Sequence, residues 1–321
     1  MILICGALAD PVTKIVCASL EHSSYPYRLL DLSVYPAGFQ VNWQWRKAGP
    51  TGYISNTNWR LDLEDISSVY VHYIGSQERN PPSNITKELL PALYTECDTC
   101  LSALLESLPC PVVNRMRGSI SNNSKPYQAL QIRRCGFRIP PTLVTNDPEA
   151  ARRFYDEYSG KVIYKSISAV RSIVRRMNAE HLVRLPLLQH APAQLQAYIP
   201  GDNIRVHTVG HLCFGTRIKS AAIDYRYAQE EGLAAEMEPS ALPDKVAAAC
   251  LRVARQFQLL FAGIDLKETP EGDYYCFEVN PSPGFFVYEQ QSGQCISRAL
   301  AQLLHEGATG QLAAGQNLTD A

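Results

Sequence analysis

Several features that would identify common classes of protein are missing from this sequence. Across 321 residues the formal net charge is only -1, so there is no bulk electrostatic attraction to nucleic acid or to an anionic membrane. No apolar run approaches the roughly 18 residues of a membrane span. Residues 1–6 have no basic leader and are predicted to form a buried strand rather than a signal peptide. We therefore expect a cytoplasmic protein that binds neither nucleic acid nor membrane.

The ten cysteines form no framework of regular spacings. Cys97 and Cys100 make one C-x-x-C pair without a second pair or a nearby histidine cluster, so ordinary packing is favoured over a zinc or redox role. Neither G-x-G-x-x-G nor G-x-x-x-x-G-K-[ST] occurs, which argues against Rossmann and P-loop nucleotide sites. No Ser-His-Asp order typical of a hydrolase is evident.

The order of predicted elements indicates an α/β protein built from successive units. Residues 1–115 alternate strands with helices, which favours a mostly parallel sheet. Residues 116–192 form a second unit, and residues 193–310 form a third that contains two hairpins and an amphipathic helix at 243–260. Residues 311–321 are small and polar and are predicted to be a flexible tail.

The most informative stretch is residues 263–289, which is predicted to form a β-hairpin with its turn at 270–273. With the turn centred between residues 271 and 272, Asp265 faces Glu278, and Asn280 shares the face of Glu278. Two facing carboxylates repel each other unless a cation lies between them. Carboxylate and amide oxygens suit Mg²⁺, which commonly binds substrate phosphates as well. A solvated edge hairpin is the less favoured alternative.

Basic residues in the middle unit suggest a place for the phosphates. Lys165 lies in the apolar strand 162–166, where an ammonium group is costly unless it meets an anion. Ser166 and Arg171 follow closely, and Lys125 opens an earlier predicted helix that runs to about residue 135. Such groups balance the charge of a triphosphate, although surface lysines are the ordinary alternative.

A second basic group is predicted on the hairpin at 204–219. Arg205 and His207 share one face of their strand, and Arg217 and Lys219 share one face of theirs. We expect a cationic wall suited to a phosphate or a carboxylate, with a solvated sheet face weighted equally. Arg226 lies in a later loop, where it can meet a substrate carboxylate or acyl phosphate.

With these residues in view, the chain resembles the ATP-grasp ligases over residues 114–304. The most specific part is Asp265 followed by residues 278–284, a D…E-x-N-x-x-P-G pattern similar to the RimK-type glutamate ligases and glutathione synthetases. The resemblance implies an ATP-grasp fold, α+β in its two lobes, behind an N-terminal pre-ATP-grasp α/β domain. The lobes then span residues 116–192 and 193–310.

The resemblance also implies roles for individual residues. Asp265, Glu278 and Asn280 are expected to hold Mg²⁺ that bridges the phosphates of ATP. Residues 196–199 are expected to form the hinge that contacts adenine, with Ala197 between the others. The residues expected to contact the nucleotide are Lys125, Lys165, Ser166, Arg171, Gln196, Tyr198, Ile199 and Lys219. The residues expected at the reacting groups are Arg205, Arg217 and Arg226.

One departure separates this chain from the usual pattern. Ligases of this type carry a glycine-rich flap after the second lysine, whereas residues 166–175 contain no glycine. The microviridin-type ligases, which cross-link a ribosomally made peptide, share this glycine-poor segment. They also resemble the chain at 140–150 and at the N-P-x-x-x-F-F ending, residues 280–286.

The resemblance therefore implies an ATP- and Mg²⁺-dependent ligase that joins a carboxylate to an amine through an acyl phosphate and releases ADP and phosphate. The expected substrate is a peptide or amino-acid-like molecule, and a homodimer is expected. Two alternatives stay open. One is a maturation enzyme that forms ester or amide cross-links in a precursor peptide. The other is a non-catalytic nucleotide-binding scaffold, suggested by the missing glycines.

Overall fold

The computed structural model describes residues 1–47, 49–73, 75, 78–82, 85–119, 124–167, 174–220 and 234–309. The N-terminal part contains β1 (Ile2–Gly6), α1 (Pro11–His22), β2 (Tyr27–Asp31), β3 (Gln40–Arg46), β4 (Gly49–Ser55), β5 (Arg60–Asp62), β6 (Ser68–Val71), α2 (Leu90–Ser107) and β7 (Val112–Val113). Strands β2, β1, β6 and β7 form a parallel sheet in that order, which confirms the predicted sheet type.

Helices cover both faces of this parallel sheet, because its strands are apolar on both sides. One face packs against α2 and a small antiparallel sheet of β3, β4 and β5, with Leu101 and Ile54 among the buried residues. Residues 40–62 thus contain a separate three-stranded sheet. The other face packs against α1 and the C-terminal helix α9 (Ile296–Ala308). Asp10 starts α1 by accepting a 2.7 Å hydrogen bond from the Thr13 N–H, as expected of an N-cap.

The middle part forms a smaller lobe. Its elements are α3 (Met116–Ser119), α4 (Lys125–Arg134), β8 (Thr142–Thr145), α5 (Pro148–Glu157), β9 (Val162–Lys165), β10 (Arg175–Arg176), α6 (Ala179–Val183), a 3₁₀ helix (Leu185–His190) and β11 (Ala193–Ala197). The antiparallel sheet runs β10-β9-β11-β8. One face, with Val162 and Leu195, packs against Ala151 of α5.

The C-terminal lobe is a five-stranded antiparallel sheet in the order β14-β13-β12-β15-β16. Its elements are β12 (Asp202–Val209), β13 (Leu212–Ser220), β14 (Ala235–Pro239), α7 (Asp244–Gln256), β15 (Phe261–Glu268), β16 (Tyr274–Asn280) and α8 (Phe286–Ser292). One face buries Ile204, Val206 and Ile264 against Cys250 and Val253 of α7. Because side chains alternate along a strand, the opposite face carries the odd-numbered residues of β12 and β15.

The hairpin of β15 and β16 has the predicted pairing at its important position but not at its turn. Asp265 lies opposite Glu278, as predicted, whereas Glu268 pairs with Tyr274. The turn is therefore centred on Glu271, half a residue earlier than expected. A β-bulge between the two regions, where Leu266 pairs with Cys276 and Phe277 is the extra residue, restores the register. No helix in the described part of the chain is both long and apolar enough to cross a membrane.

Candidate active site

The centre of the candidate site is a row of side chains that crosses three strands. Arg205 on β12 lies opposite Asp265 on β15, and Asp265 lies opposite Glu278 on β16. Directly opposed residues of antiparallel strands place their side chains on one face. The next row of the same face contains Gly263 and Asn280, which are also paired. The sheet thus brings two carboxylates and one amide together on the side away from α7.

Each carboxylate has a cationic neighbour. Arg205 Nη1 donates a 2.7 Å hydrogen bond to Asp265 Oδ1. Lys125 Nζ lies 3.7 Å from Glu278 Oε2. The two cations are nearly buried, at 6% and 5% side-chain exposure, whereas the Asp265 and Glu278 side chains keep 26% and 18%. The acids therefore remain accessible from one side, while the basic groups behind them balance their charge.

Gly263 makes room for the Arg205 side chain. A Cβ atom at position 263 would lie 2.2 Å from Arg205 Nη2 and 2.6 Å from the Cβ of Pro283. Any larger residue would therefore occupy the path of the guanidinium group.

An aromatic cage surrounds the neighbouring His207, whose ring lies close to Phe261, Phe285 and Tyr288. Arg205 Nε approaches His207 Nε2 at 3.5 Å. Burial and the adjacent Arg205 charge lower the pKa of His207 well below its ordinary value. A neutral imidazole is thus packed behind Arg205, where it can accept the Nε–H.

Helix α4 delivers Lys125 to the site and is anchored to the edge of the sheet. The Gln128 side chain donates to the Val279 carbonyl at 2.9 Å and accepts from the Val279 N–H at 3.0 Å. Since β16 is an edge strand, these bonds satisfy backbone groups that would otherwise lack partners. Gln128 thereby holds the segment between Glu278 and Asn280 against the helix that carries Lys125.

Asn114, at the end of the N-terminal part, contacts the C-terminal lobe both at the start of β15 and in the loop after β16. Its Nδ2 donates to the carbonyls of Phe261 and Pro281, at 2.5 and 2.6 Å. Its Oδ1 accepts from the N–H groups of Leu260 and Phe261, at 2.9 and 3.2 Å. One buried amide thus joins the start of β15 to the loop after Asn280.

The middle lobe carries Lys165 and residues 196–199, which are predicted from the sequence to contact the nucleotide. Lys165 is buried and lies opposite Gln194 in the sheet, on the face away from α5. Gln196, on the same face, donates to the Thr142 hydroxyl at 3.0 Å. The Tyr198 ring has Lys267 Nζ 5.1 Å from its centroid. Lys267 stands two residues from Asp265 on the same face of β15, so Tyr198 borders the face that carries the acidic cluster.

The expected cationic wall is divided between two faces of the C-terminal sheet. The register puts Thr216, not Arg217, opposite Arg205. Arg217 lies opposite Ile204 and forms ion pairs with Asp202 and Glu268, on the side of α7. The structure therefore does not bring Arg217 together with Arg205.

The other predicted residues divide into three groups. Lys219 is on the same side as Arg217 and pairs with Glu238 at 2.8 Å, away from the acidic cluster. Ser166 follows Lys165, and Ile199 follows Tyr198, both half-buried. Arg171 and Arg226 lie outside the described residues.

Sequence reasoning missed several residues that hold the site. Lys267 could have been found from the sequence. Side chains alternate along a strand, so residues 265 and 267 point to the same face. Centring the β12–β13 turn on residues 210 and 211 would likewise have separated Arg217 from Arg205. Gln128 and Asn114 gave no signal, since their partners are 151 and 147 residues away.

A parallel α/β domain is followed by two α+β lobes with antiparallel sheets. One of these sheets carries two carboxylates and an amide, with basic groups around them. This combination defines the ATP-grasp class of enzymes. Residues 123–304 match the RimK-like ATP-grasp domain, and the chain belongs to this family. It is therefore an ATP-grasp ligase, an enzyme class that uses ATP and Mg²⁺ and releases ADP.

Relatives and solved structures resemble the chain at low sequence identity. The α-aminoadipate–LysW ligase LysX of Sulfurisphaera tokodaii is 24% identical over 196 residues, which cover 57% of this chain and 68% of that protein. The macrocyclase MdnC of Microcystis aeruginosa, bound with its precursor peptide MdnA, is 23% identical with a TM-score of 0.81, covering 95% of this chain and 99% of MdnC. The ATP-grasp ligase PsnB, with a precursor variant, Mg and ADP, is 25% identical with a TM-score of 0.81, covering 96% of this chain and 98% of PsnB.

Proposed function

We propose that this protein activates a carboxylate of a peptide as an acyl phosphate and joins it to an amine or hydroxyl group. The observation that carries the proposal is the cross-strand row of Arg205, Asp265 and Glu278, with Lys125 beside Glu278. This row combines accessible oxygen ligands with buried cations on one face of one sheet.

The acidic residues fit a magnesium site by their chemistry. Asp265, Glu278 and Asn280 supply hard oxygen donors on neighbouring strands, which Mg²⁺ prefers over nitrogen or sulfur. In our proposal these three side chains hold the ion. When bound, Mg²⁺ neutralises phosphate charge and polarises the transferred phosphoryl group. Arg205 and Lys125, which balance the acids in this structure, then have phosphate oxygens as alternative partners.

The chain's own residues provide positioning and charge stabilisation. Lys125 and Lys165 enter from different elements and are assigned to the phosphates, while residues 196–199 are assigned to the adenine. The γ-phosphoryl group passes from ATP to a substrate carboxylate and ADP leaves. An amine or hydroxyl then attacks the acyl carbon and phosphate leaves. Both steps depend mainly on orientation and on stabilising developing negative charge.

A peptide substrate is supported by the structures that the whole chain resembles. MdnC and PsnB were solved with precursor peptides, and each aligns with more than nine-tenths of this chain, including its N-terminal domain. The proposal for this chain is accordingly a ligase that modifies a peptide, and not one restricted to free amino acids.

The substitution Glu278→Gln tests the metal site against a matched control. The protein is incubated with MgATP and pooled synthetic peptides containing Glu, Asp, Lys, Ser and Thr, and ADP release is measured. We expect Glu278→Gln to lose at least about 100-fold in rate, as removal of a major electrostatic contact does. Glu268→Gln, on the same hairpin but on the α7 side, should retain the rate.

A second readout does not depend on turnover. Mg²⁺ should increase the thermal shift that ADP produces in wild-type protein, and Glu278→Gln should abolish that increase. Wild-type rates and shifts in Glu278→Gln would remove Glu278 from the proposed site. If no peptide stimulates ADP release, and none shows the loss of mass of one water that ligation produces, the peptide-ligase proposal is contradicted.

A further inference from the structure

A histidine at the edge of the N-terminal sheet faces the loop that follows the acidic cluster. His72 comes directly after β6, and Asp10 comes between β1 and α1. Both therefore lie at the carboxyl ends of parallel strands, the edge at which open α/β sheets hold ligands. The His72 N–H donates to the Cys5 carbonyl at 2.8 Å, which fixes the backbone of the histidine to the end of β1.

Three polar side chains connect this edge to the loop after Asn280. Ser282 Oγ lies 3.3 Å from His72 Nδ1, and His72 Nε2 lies 3.8 Å from Asp10 Oδ2. Ser282 is exposed, whereas the His72 and Asp10 side chains are each 16% exposed. The Ser282 hydroxyl group is thus the solvent-accessible end of this series of side chains. It lies two residues after Asn280, a proposed metal ligand.

The surroundings of the imidazole favour its neutral form. Burial lowers the pKa of His72, and this effect outweighs the opposing charges of Asp10, which precedes α1, and Glu78, which follows β6. The Tyr70 ring stacks beside it at 6.5 Å between centroids. Asp10 faces Nε2 and favours the proton there, so the lone pair of Nδ1 is directed to Ser282.

We propose that Ser282 and His72 form the proton relay for the nucleophile in the second step of the reaction. This inference rests on the proposed function. As the nucleophile's lone pair forms a bond to the acyl carbon, its N–H or O–H proton passes to Ser282 Oγ. The Ser282 hydroxyl proton passes to His72 Nδ1. The acyl C–O bond breaks and its electron pair leaves with phosphate. Asp10 stabilises the imidazolium ion, which then loses its proton to solvent.

Separating the two half-reactions tests this relay. Hydroxylamine attacks acyl phosphates without a base, so hydroxamate formation reports on activation alone, with the pooled peptides and MgATP. His72→Gln should retain hydroxamate formation within about threefold but lose about 100-fold or more in peptide ligation, the usual contribution of a general base. Ser282→Ala should show the same division. His190→Gln, an exposed histidine far along the chain, is the matched control and should behave as wild type.

The pH profile supplies the readout that a purely structural role would not change. Wild-type ligation should fall on the acid side with an inflection below pH 6.5, the ordinary histidine value, and His72→Gln should lack that inflection. Equal losses of both half-reactions, or full ligation by His72→Gln, would overturn the relay. If wild-type protein forms no hydroxamate with any peptide, the acyl-phosphate proposal itself fails, which is a different result from a selective loss of ligation.

Discussion

Gly263→Ala should disrupt the site by a route that can be worked out from the structure. The new Cβ would lie 2.2 Å from Arg205 Nη2, whereas ordinary contact begins near 3.4 Å, so the guanidinium must retreat by about 1.2 Å. Its 2.7 Å bond to Asp265 cannot survive that movement. Pro283 on the other side, 2.6 Å from the same Cβ, is a rigid ring with little freedom to yield.

Two costs follow from this displacement. Overpacking a buried position costs about 1–3 kcal/mol, and losing a charge-assisted hydrogen bond costs about 1.5–3 kcal/mol. We expect a destabilisation of about 2.5–6 kcal/mol, which lowers the midpoint of thermal unfolding by about 5 °C or more. ADP release should fall at least about tenfold, because Asp265 loses the partner that orients it.

Differential scanning fluorimetry and an ADP-release assay measure both effects. Gly284→Ala is the matched control, since a Cβ there meets nothing within 4 Å, and it should unfold within about 1 °C of wild type. In an Arg205→Ala background, Gly263→Ala should cost less, because the contact with Nη2 is gone. A Gly263→Ala protein that unfolds and turns over like wild type would refute the reasoning.

Two further predictions concern residues behind the site. Asn114→Ala removes the partner of four backbone groups, two of them in buried bonds and two in partly buried ones. At about 1–3 kcal/mol for each unsatisfied group, reduced by local relaxation, we expect the free energy of unfolding in urea to fall by about 3–6 kcal/mol; a loss below about 1 kcal/mol would contradict this role. His207 stays neutral when folded because burial lowers its pKa, whereas the unfolded chain binds a proton below pH 6.5. Stability should therefore fall as the pH drops from 7 to 5. His207→Phe should remove that part of the pH dependence, and an unchanged profile would speak against it.

The class of the protein and the acidic pair followed from local sequence pattern. Alternation along a strand is a local property, so Glu278 and Asn280 had to share a face wherever β16 formed. The pairing of Asp265 with Glu278 was predicted correctly even though the turn was misplaced, because the bulge at Phe277 offset the error. The alternation of strands with helices over residues 1–115 likewise predicted the parallel sheet.

Tertiary structure decided which charges meet. Arg205 and Arg217 lie on one hairpin, and its register puts them on opposite faces, but their partners Asp265 and Glu268 come from β15, about 50 to 60 residues further along the chain. The contacts of Asn114 and Gln128 described above, and the contact of His72 with Ser282, span 146 to 210 residues of chain. A sequence pattern shows how apolar and polar side chains repeat along a helix or strand, and this repeat depends only on residues close together in the chain. Which distant elements come into contact depends on packing of the whole chain, and no local period records it.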